Sequence, residues 1–300
     1  MRNDKLLNYL HLHFIVFIWG FTAVLGALIS LEAIPLVWYR MLLAAGFVFL
    51  FLIFKKENLK FSLRTLGKFC FAGILIAVHW LTFFGAIKAS NVSVTLAVLS
   101  TGAFFASLLE PLLYGRKIIL YEVLFGLIVI VGLYIIFDVE ASYTLGIILA
   151  LISAFLSALF SVINGKFVLE HKASAISFYE LLFGVIGISI YLAFAGKFTT
   201  EFFTISAHDW IYLIILASAC TAYAFIASIH VMKWISPYTV MLTINMEPVY
   251  GIILALIVLG DSENMSPQFY YGAAIILLTV IANGIIKITQ ERKRRRLHNT

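Results

Sequence analysis

Ten apolar stretches run through this chain, and the last five repeat the pattern of the first five. Five is an odd number. If each stretch crosses a membrane, the second set starts on the opposite side from the first and lies upside down relative to it. Inverted repeats of this kind build many secondary transporters, which hold a solute at mid-membrane between the halves. The stretches lie at about 11–30, 35–54, 69–87, 91–113, 121–137, 144–168, 174–195, 209–232, 237–259 and 267–288. A helix needs roughly 20 residues to span the hydrocarbon. The expected fold is therefore all-α and integral to a membrane, with ten transmembrane helices as two inverted five-helix repeats. The repeats divide at 1–140 and 141–288, and a basic tail occupies 289–300.

Composition supports lipid as the solvent. The chain is 63% hydrophobic and 12% charged, whereas soluble domains carry about 25% charge. Arg2 and Lys5 followed by apolar residues resemble a signal-peptide start. The run continues to Ser30, which predicts an uncleaved first span. Loop charge sets the orientation. With the N-terminus in the cytoplasm, all basic residues except Arg40, Lys88 and Lys197 fall inside. Outer loops carry Glu32, Asp138, Glu140, Glu201, Asp209, Asp261 and Glu263. Both termini are then cytoplasmic, and the expected location is the cell membrane, multi-pass, of the bacterial inner-membrane type. The basic tail directly adjoins a span, so anionic headgroups are its expected partner rather than nucleic acid. Cys70 and Cys220 lie in separate spans and provide neither a disulfide framework nor a metal site. No cofactor is expected.

Punctuation agrees with the spans. Pro35, Pro237 and Pro267 open apolar runs, at positions where a missing N–H costs nothing. Ser236 and Ser266 precede two of them as N-caps, and Ser206 with Asp209 has capping-box spacing. The longer connections, about 55–68 and 196–208, have the composition of short interfacial helices. The repeat aligns by eye. Tyr39-Arg40 matches Tyr179-Glu180, Lys88 matches Lys233, Gly115-Arg116 matches Gly260-Asp261, and Gly126 matches Gly272. Their shared order along the chain argues for duplication.

The same residues resemble the EamA-type members of the drug/metabolite transporter superfamily, over essentially the whole chain. Trp19-Gly20-Phe21-Thr22 is similar to that family's opening signature, and Arg40 sits where the family places an arginine in its second span. Asn245-Met246-Glu247-Pro248-Val249-Tyr250, then Leu259-Gly260-Asp261 and later Gly272, resembles the family's closing pattern. Asp261 stands where the family carries glutamate, and Ala103 stands at the first-half counterpart of Pro248. The resemblance implies transport of small metabolites, amino acids or amphipathic compounds, often exported. It also implies that spans five and ten pack outside the cavity, supporting the bundle or a homodimer contact.

Ionisable residues at mid-bilayer cost roughly 2.5–3.5 kcal/mol to insert and mark function by default. Glu247 is ten residues from Pro237 and twelve from Leu259, too deep to snorkel. Pro248 beside it frees the carbonyl of Ile244 to line a cavity. Glu247 is read as a substrate or proton site, or as a buried carboxyl bonded to a neighbouring helix. Arg40 lies about 8 Å from the outer headgroups; it serves the cavity, snorkels, or forms a fixed helix–helix pair. The remaining candidates for solute contact are Trp19, His79, Trp80 and Asn245. Glu180 and Glu110 are candidates for an inner vestibule or gate, Glu110 by pairing near Arg116; Glu110 also reads as an interfacial anchor. Both His79 and His230 are also readable as packing residues. Ser153, Ser157, Ser161 and Gly165 form one stripe of span six, read either as close packing or as a hydroxyl-lined path.

The functional expectation is a secondary transporter that alternates access to a small-molecule solute, with membrane lipid as its other partner. The chain holds no Walker A pattern, H-E-x-x-H or G-x-S-x-G, so ATP-driven transport and an intramembrane enzyme are disfavoured. A channel or receptor is the alternative, distinguished by flux that does not saturate.

Overall fold

The computed structural model describes residues 2–115, 117, 120–139 and 141–298. Arg116 and Glu140 of the charge pattern lie outside this set, as do the side chains at 2–6, 120, 122, 123, 137, 139, 287, 288 and 290–298. All regular elements among the described residues are helical. They are α1 (Arg2–Leu28), α2 (Ala33–Phe54), α3 (Leu63–Ala89), α4 (Val92–Leu99), α5 (Gly102–Tyr114), α6 (Leu120–Val139) and α7 (Thr144–Glu170). Next come α8 (Ala173–Phe194), α9 (Thr200–Phe203), α10 (Ala207–Ala217), α11 (Ala224–Val231), α12 (Pro237–Ile244), α13 (Glu247–Leu259) and α14 (Pro267–His298). Among the described residues, nine segments are long and apolar enough to cross a membrane, and one shorter apolar helix spans Leu124–Ile136.

Three of the expected spans are interrupted. The fourth breaks between α4 and α5, where Thr101 N–H donates to Val98 three residues back. No proline causes this. Ser100 Oγ donates to the Ala97 carbonyl at 2.6 Å and Thr101 Oγ1 to Val98 at 2.8 Å, so hydroxyls compete with the helical ladder. The ninth breaks between α12 and α13. There Asn245 and Met246 donate to Leu242 and Thr243 in a tight three-residue turn, and Pro248 removes the next-turn donor to Ile244. The eighth passes from α10 to α11 through a π turn at Ser218–Tyr223.

The connections are mostly capped as expected. Ser206 Oγ accepts from Asp209 N at 3.0 Å, and Ser236 Oγ accepts from Thr239 N at 3.3 Å. The Asp209 carboxylate also takes Ser30 N–H at 2.8 Å and Ser30 Oγ at 2.6 Å, fastening the end of α1 to the start of α10. The 196–208 connection holds the short helix α9. The 55–62 segment is not helical; Ser62 at its end caps α3 instead.

The two halves pack reciprocally. Helix α3 packs on α7 as α10 and α11 pack on α1, α5 on α7 as α13 on α1, and α2 lies against α8. Tyr39 donates to the Phe202 carbonyl in the connection after α8, at 3.2 Å. Tyr179 donates to the Leu59 carbonyl in the connection after α2, at 2.6 Å. The sequence match of these tyrosines thus corresponds to one exchanged contact. Gly115 and Gly260, which end α5 and α13, have φ of 69° and 66°, a backbone conformation that glycine enters without steric cost.

Helices α6 and α14 also approach closely at a pair of glycines, Gly132 and Gly272. A Cβ on Gly132 would lie 3.0 Å from Gly272 O, and one on Gly272 would lie 2.9 Å from Gly132 O. Gly126 instead accommodates the Phe104 ring. Backbone approach decides the register of α6 on α14, and a glycine that makes room for a ring carries no register information.

Candidate functional site

A cavity of about 70 Å³ lies between the halves, lined from α1, α2, α3, α7 and the three interrupted spans. It has room for several water molecules. Arg40 is among its lining residues. Its side chain is 2% exposed and lies inside the bundle, so it does not snorkel. The guanidinium carbon sits 4.0 Å from the Trp80 ring centroid and 5.3 Å from that of Phe84, close enough for cation–π attraction. Nε donates to Thr221 Oγ1 at 2.7 Å. That hydroxyl spends its own proton on the Leu216 carbonyl, five residues back, at 2.6 Å. The π turn therefore presents Thr221 to Arg40 as an acceptor. Nη1 is buried without a protein partner.

Glu247 lines the same cavity and is 6% exposed. It opens α13, immediately after the break, because Asn245 and Met246 end the preceding helix. It is near enough to Arg40 for their charges to interact. Among the described residues, no ion pair within 4.0 Å joins them. The cavity therefore holds a guanidinium group and a glutamate side chain that are not in contact.

Other expected residues divide into three groups. Trp19 lines the cavity and donates Nε1–H to the Cys220 carbonyl at 3.2 Å. Trp80 lines it beneath Arg40, with its ring edge toward Phe225. His79 reaches the cavity too, but its Nδ1 is bound to the Ser153 carbonyl at 2.9 Å, and Ser153 Oγ returns a bond to the His79 carbonyl at 3.1 Å. The stripe on α7 serves close packing at two of its positions and faces the cavity at the other two. Ser157 and Ser161 line the cavity, Ser153 joins α7 to α3, and Gly165 lets Pro237 close in. Asn245 is buried at the break, with Nδ2 unpartnered, and is not a lining residue.

Glu180 and Glu110 are not lining residues either. Glu180 is fully buried and accepts from Asn164 Nδ2 at 3.1 Å. It lies behind Asn164, which does line the cavity. Glu110 accepts Tyr238 N–H at 2.8 Å, at the first turn of α12; Arg116, its expected neighbour, is outside the described residues. His230 is exposed and stacks its edge on Trp234, away from the cavity.

Sequence reasoning missed Thr221, Asn164 and Glu263. Glu263, read only as loop charge, accepts Val92 N–H at 3.1 Å and Ser93 N–H at 2.8 Å, at the first turn of α4. The fourth and ninth spans thus each have their beginning capped by a carboxylate associated with the other. Such caps exploit free N–H groups and the positive helix terminus. For Thr221, the only local signal was the run of small residues from Ala217 to Ala222, which lets a helix pack closely but does not specify a π turn.

The sequence pattern of the EamA-like transporter family matches residues 8–138 and again residues 144–284. An uncharacterized transporter of Clostridium kluyveri is 24% identical over 250 residues, 80% of this chain and 77% of that protein. An uncharacterized transporter of Archaeoglobus fulgidus is 28% identical over 206 residues, 67% of this chain and 69% of that one. A protein of known crystal structure superposes with a TM-score of 0.68 at 14% identity, over 91% of this chain and 96% of the other. That likeness concerns the fold alone.

Proposed function

The chain belongs to the EamA-like transporter family, and from that premise we propose that it is a secondary active transporter, an exporter or exchanger, of small zwitterionic metabolites such as amino acids. One observation carries the substrate class. A buried guanidinium with an unpartnered Nη1 shares a small cavity with a carboxylate that it does not touch. A solute bearing both a carboxylate and an ammonium group satisfies both. Its carboxylate takes charge-assisted hydrogen bonds from Arg40, and its ammonium group faces Glu247. Trp19 and Trp80 offer aromatic surface to its side chain. Burying such charges unpaired is costly, so the site discriminates against solutes lacking either group.

Access alternates in this reading. The positive-inside pattern puts both termini in the cytoplasm of a cell and the repeats in inverted orientation. The Glu263 cap then lies toward the outside and the Glu110 cap toward the cytoplasm. Each holds the interrupted spans together at one end. Opening toward one side releases the nearer cap while the other persists, with the solute gradient or a counter-solute driving the cycle.

The test is flux in proteoliposomes loaded with labelled amino acids. Saturable transport that falls in Arg40→Gln and in Glu247→Gln supports the proposal. Flux that rises linearly with concentration, or is unaffected by both substitutions, contradicts it.

A further inference from the structure

We propose that the groove between the N-terminal end of α3, the end of α5 and the last turns of α7 is a binding site for one anionic phospholipid. The inference concerns a second site and does not depend on the transport reading. The groove measures about 620 Å³ and is separate from the central cavity. Its lining comes from the opposite side of α7 to Ser157, Ser161 and Asn164. Arg64, Lys68 and Lys166 enter it against the single carboxylate Glu170.

The arrangement fits a headgroup joined to an acyl chain. Arg64 and Lys68 are four apart on α3 and so share one face. Gly67 between them leaves open space, with no atom within 4 Å of where a Cβ would stand. Lys166 comes from the facing helix. It is held in place by donating Nζ–H to the Leu113 carbonyl at 2.5 Å, with the Tyr114 ring 4.9 Å away. The ammonium group keeps two further protons for a phosphate. Beyond the cations the walls turn apolar, through Phe71, Leu113 and Phe167. Phe71 is 57% exposed and Leu113 is 39% exposed, an apolar surface continuous with the lipid-facing side of the bundle.

Charge selects among lipids. Three cations against one carboxylate leave a surplus that a zwitterionic headgroup does not neutralise and a net-negative one does. The groove also stands at the end of the bundle that carries the basic connections, where anionic lipid is concentrated by the same charges. Because the headgroup contacts both α3 and α7, the bound lipid bridges two helices that also wall the central cavity.

Native mass spectrometry of the full-length protein tests this, titrating phosphatidylglycerol and phosphatidylcholine in detergent. The expected result is one tightly retained phosphatidylglycerol and weak phosphatidylcholine. Arg64→Gln and Lys68→Gln should each weaken retention roughly fivefold, from about 1 kcal/mol per cation near a membrane surface. Glycerol phosphate, which lacks the acyl chains, should not compete at concentrations where the lipid saturates. A variant with all five basic residues at 292–296 changed to Gln should retain the lipid. Thermal unfolding in phosphatidylcholine micelles checks that each variant is folded. Equal phosphatidylglycerol retention by wild type and the Arg64→Gln/Lys68→Gln double variant would overturn the assignment. So would loss of the lipid in the tail variant alone, or displacement by glycerol phosphate.

Discussion

The interrupted spans α4–α5 and α12–α13 occupy equivalent places in the two halves, but the residues after the two breaks differ. After Ser100 and Thr101 the first continues with Gly102 and Ala103. A Cβ on Gly102 would meet Met241 Cε at 2.9 Å, so this position is closed by packing. After Asn245 and Met246 the second continues with Glu247 and Pro248, and Glu247 faces the cavity. The same contrast separates Arg40 from Glu180, which the repeat aligns. Each keeps one buried polar atom without a protein partner, but Arg40 lines the cavity, whereas Glu180 is enclosed behind Asn164. The duplication built the scaffold and its two breaks. At each of these positions only one half places an ionisable side chain in the cavity.

Substitutions can break this contrast. The largest effect is expected at Arg40: Arg40→Gln should lower zwitterion flux about 100-fold, on the scale of losing charge-assisted bonds worth about 1.5–3 kcal/mol each. Its repeat counterpart, Glu180→Gln, keeps the Asn164 bond and should change flux by less than about threefold. Comparable losses at both positions would end the distinction between a functional and a structural member of the pair. Thr221→Val removes the acceptor from Arg40 Nε, and should cost roughly tenfold in apparent solute affinity with folding intact. Cysteine-accessibility profiles read the two caps. Glu263→Gln should raise labelling of positions on the outer side of the cavity, and Glu110→Gln should raise it on the inner side. Thermal stability should fall by about 1 kcal/mol in each. Both substitutions opening the same side would contradict the assignment of one cap to each face. The smallest effect is in the scaffold. Gly132→Ala brings a methyl group to 3.0 Å from Gly272 O and should destabilise by about 1–3 kcal/mol, measured by thermal unfolding, with unchanged solute selectivity in the folded fraction.

Much of the scaffold was legible because its signals are local. Apolar run length located the helices, and Ser206 with Asp209 marked a start that the hydrogen bonds reproduce. Tyr39 and Tyr179 fixed the correct offset because each tyrosine meets the other repeat's connection. Register within α6 and α14 was less legible, because both Gly126 and Gly132 sit in uniformly apolar sequence. The break in the second half was foreshadowed by Pro248; the break in the first was not, since Ser100 and Thr101 act only through the rotamers their hydroxyls adopt. Arg40 was the hardest to place. Its distance from the headgroups allowed snorkelling, and it is turned inward by Trp80 on another span and by Thr221 on a π turn 181 residues away. Neither is written in the neighbourhood of Arg40.

The central claim is that Arg40 and Glu247 recognise the two ends of one zwitterion. It is tested most directly by calorimetric binding of three matched ligands: an amino acid, the amine lacking its carboxylate, and the acid lacking its ammonium group. Wild type should prefer the amino acid to either fragment. Arg40→Gln should lose discrimination against the amine alone, and Glu247→Gln against the acid alone. Equal weakening of all three ligands by either substitution, or none, would contradict the account.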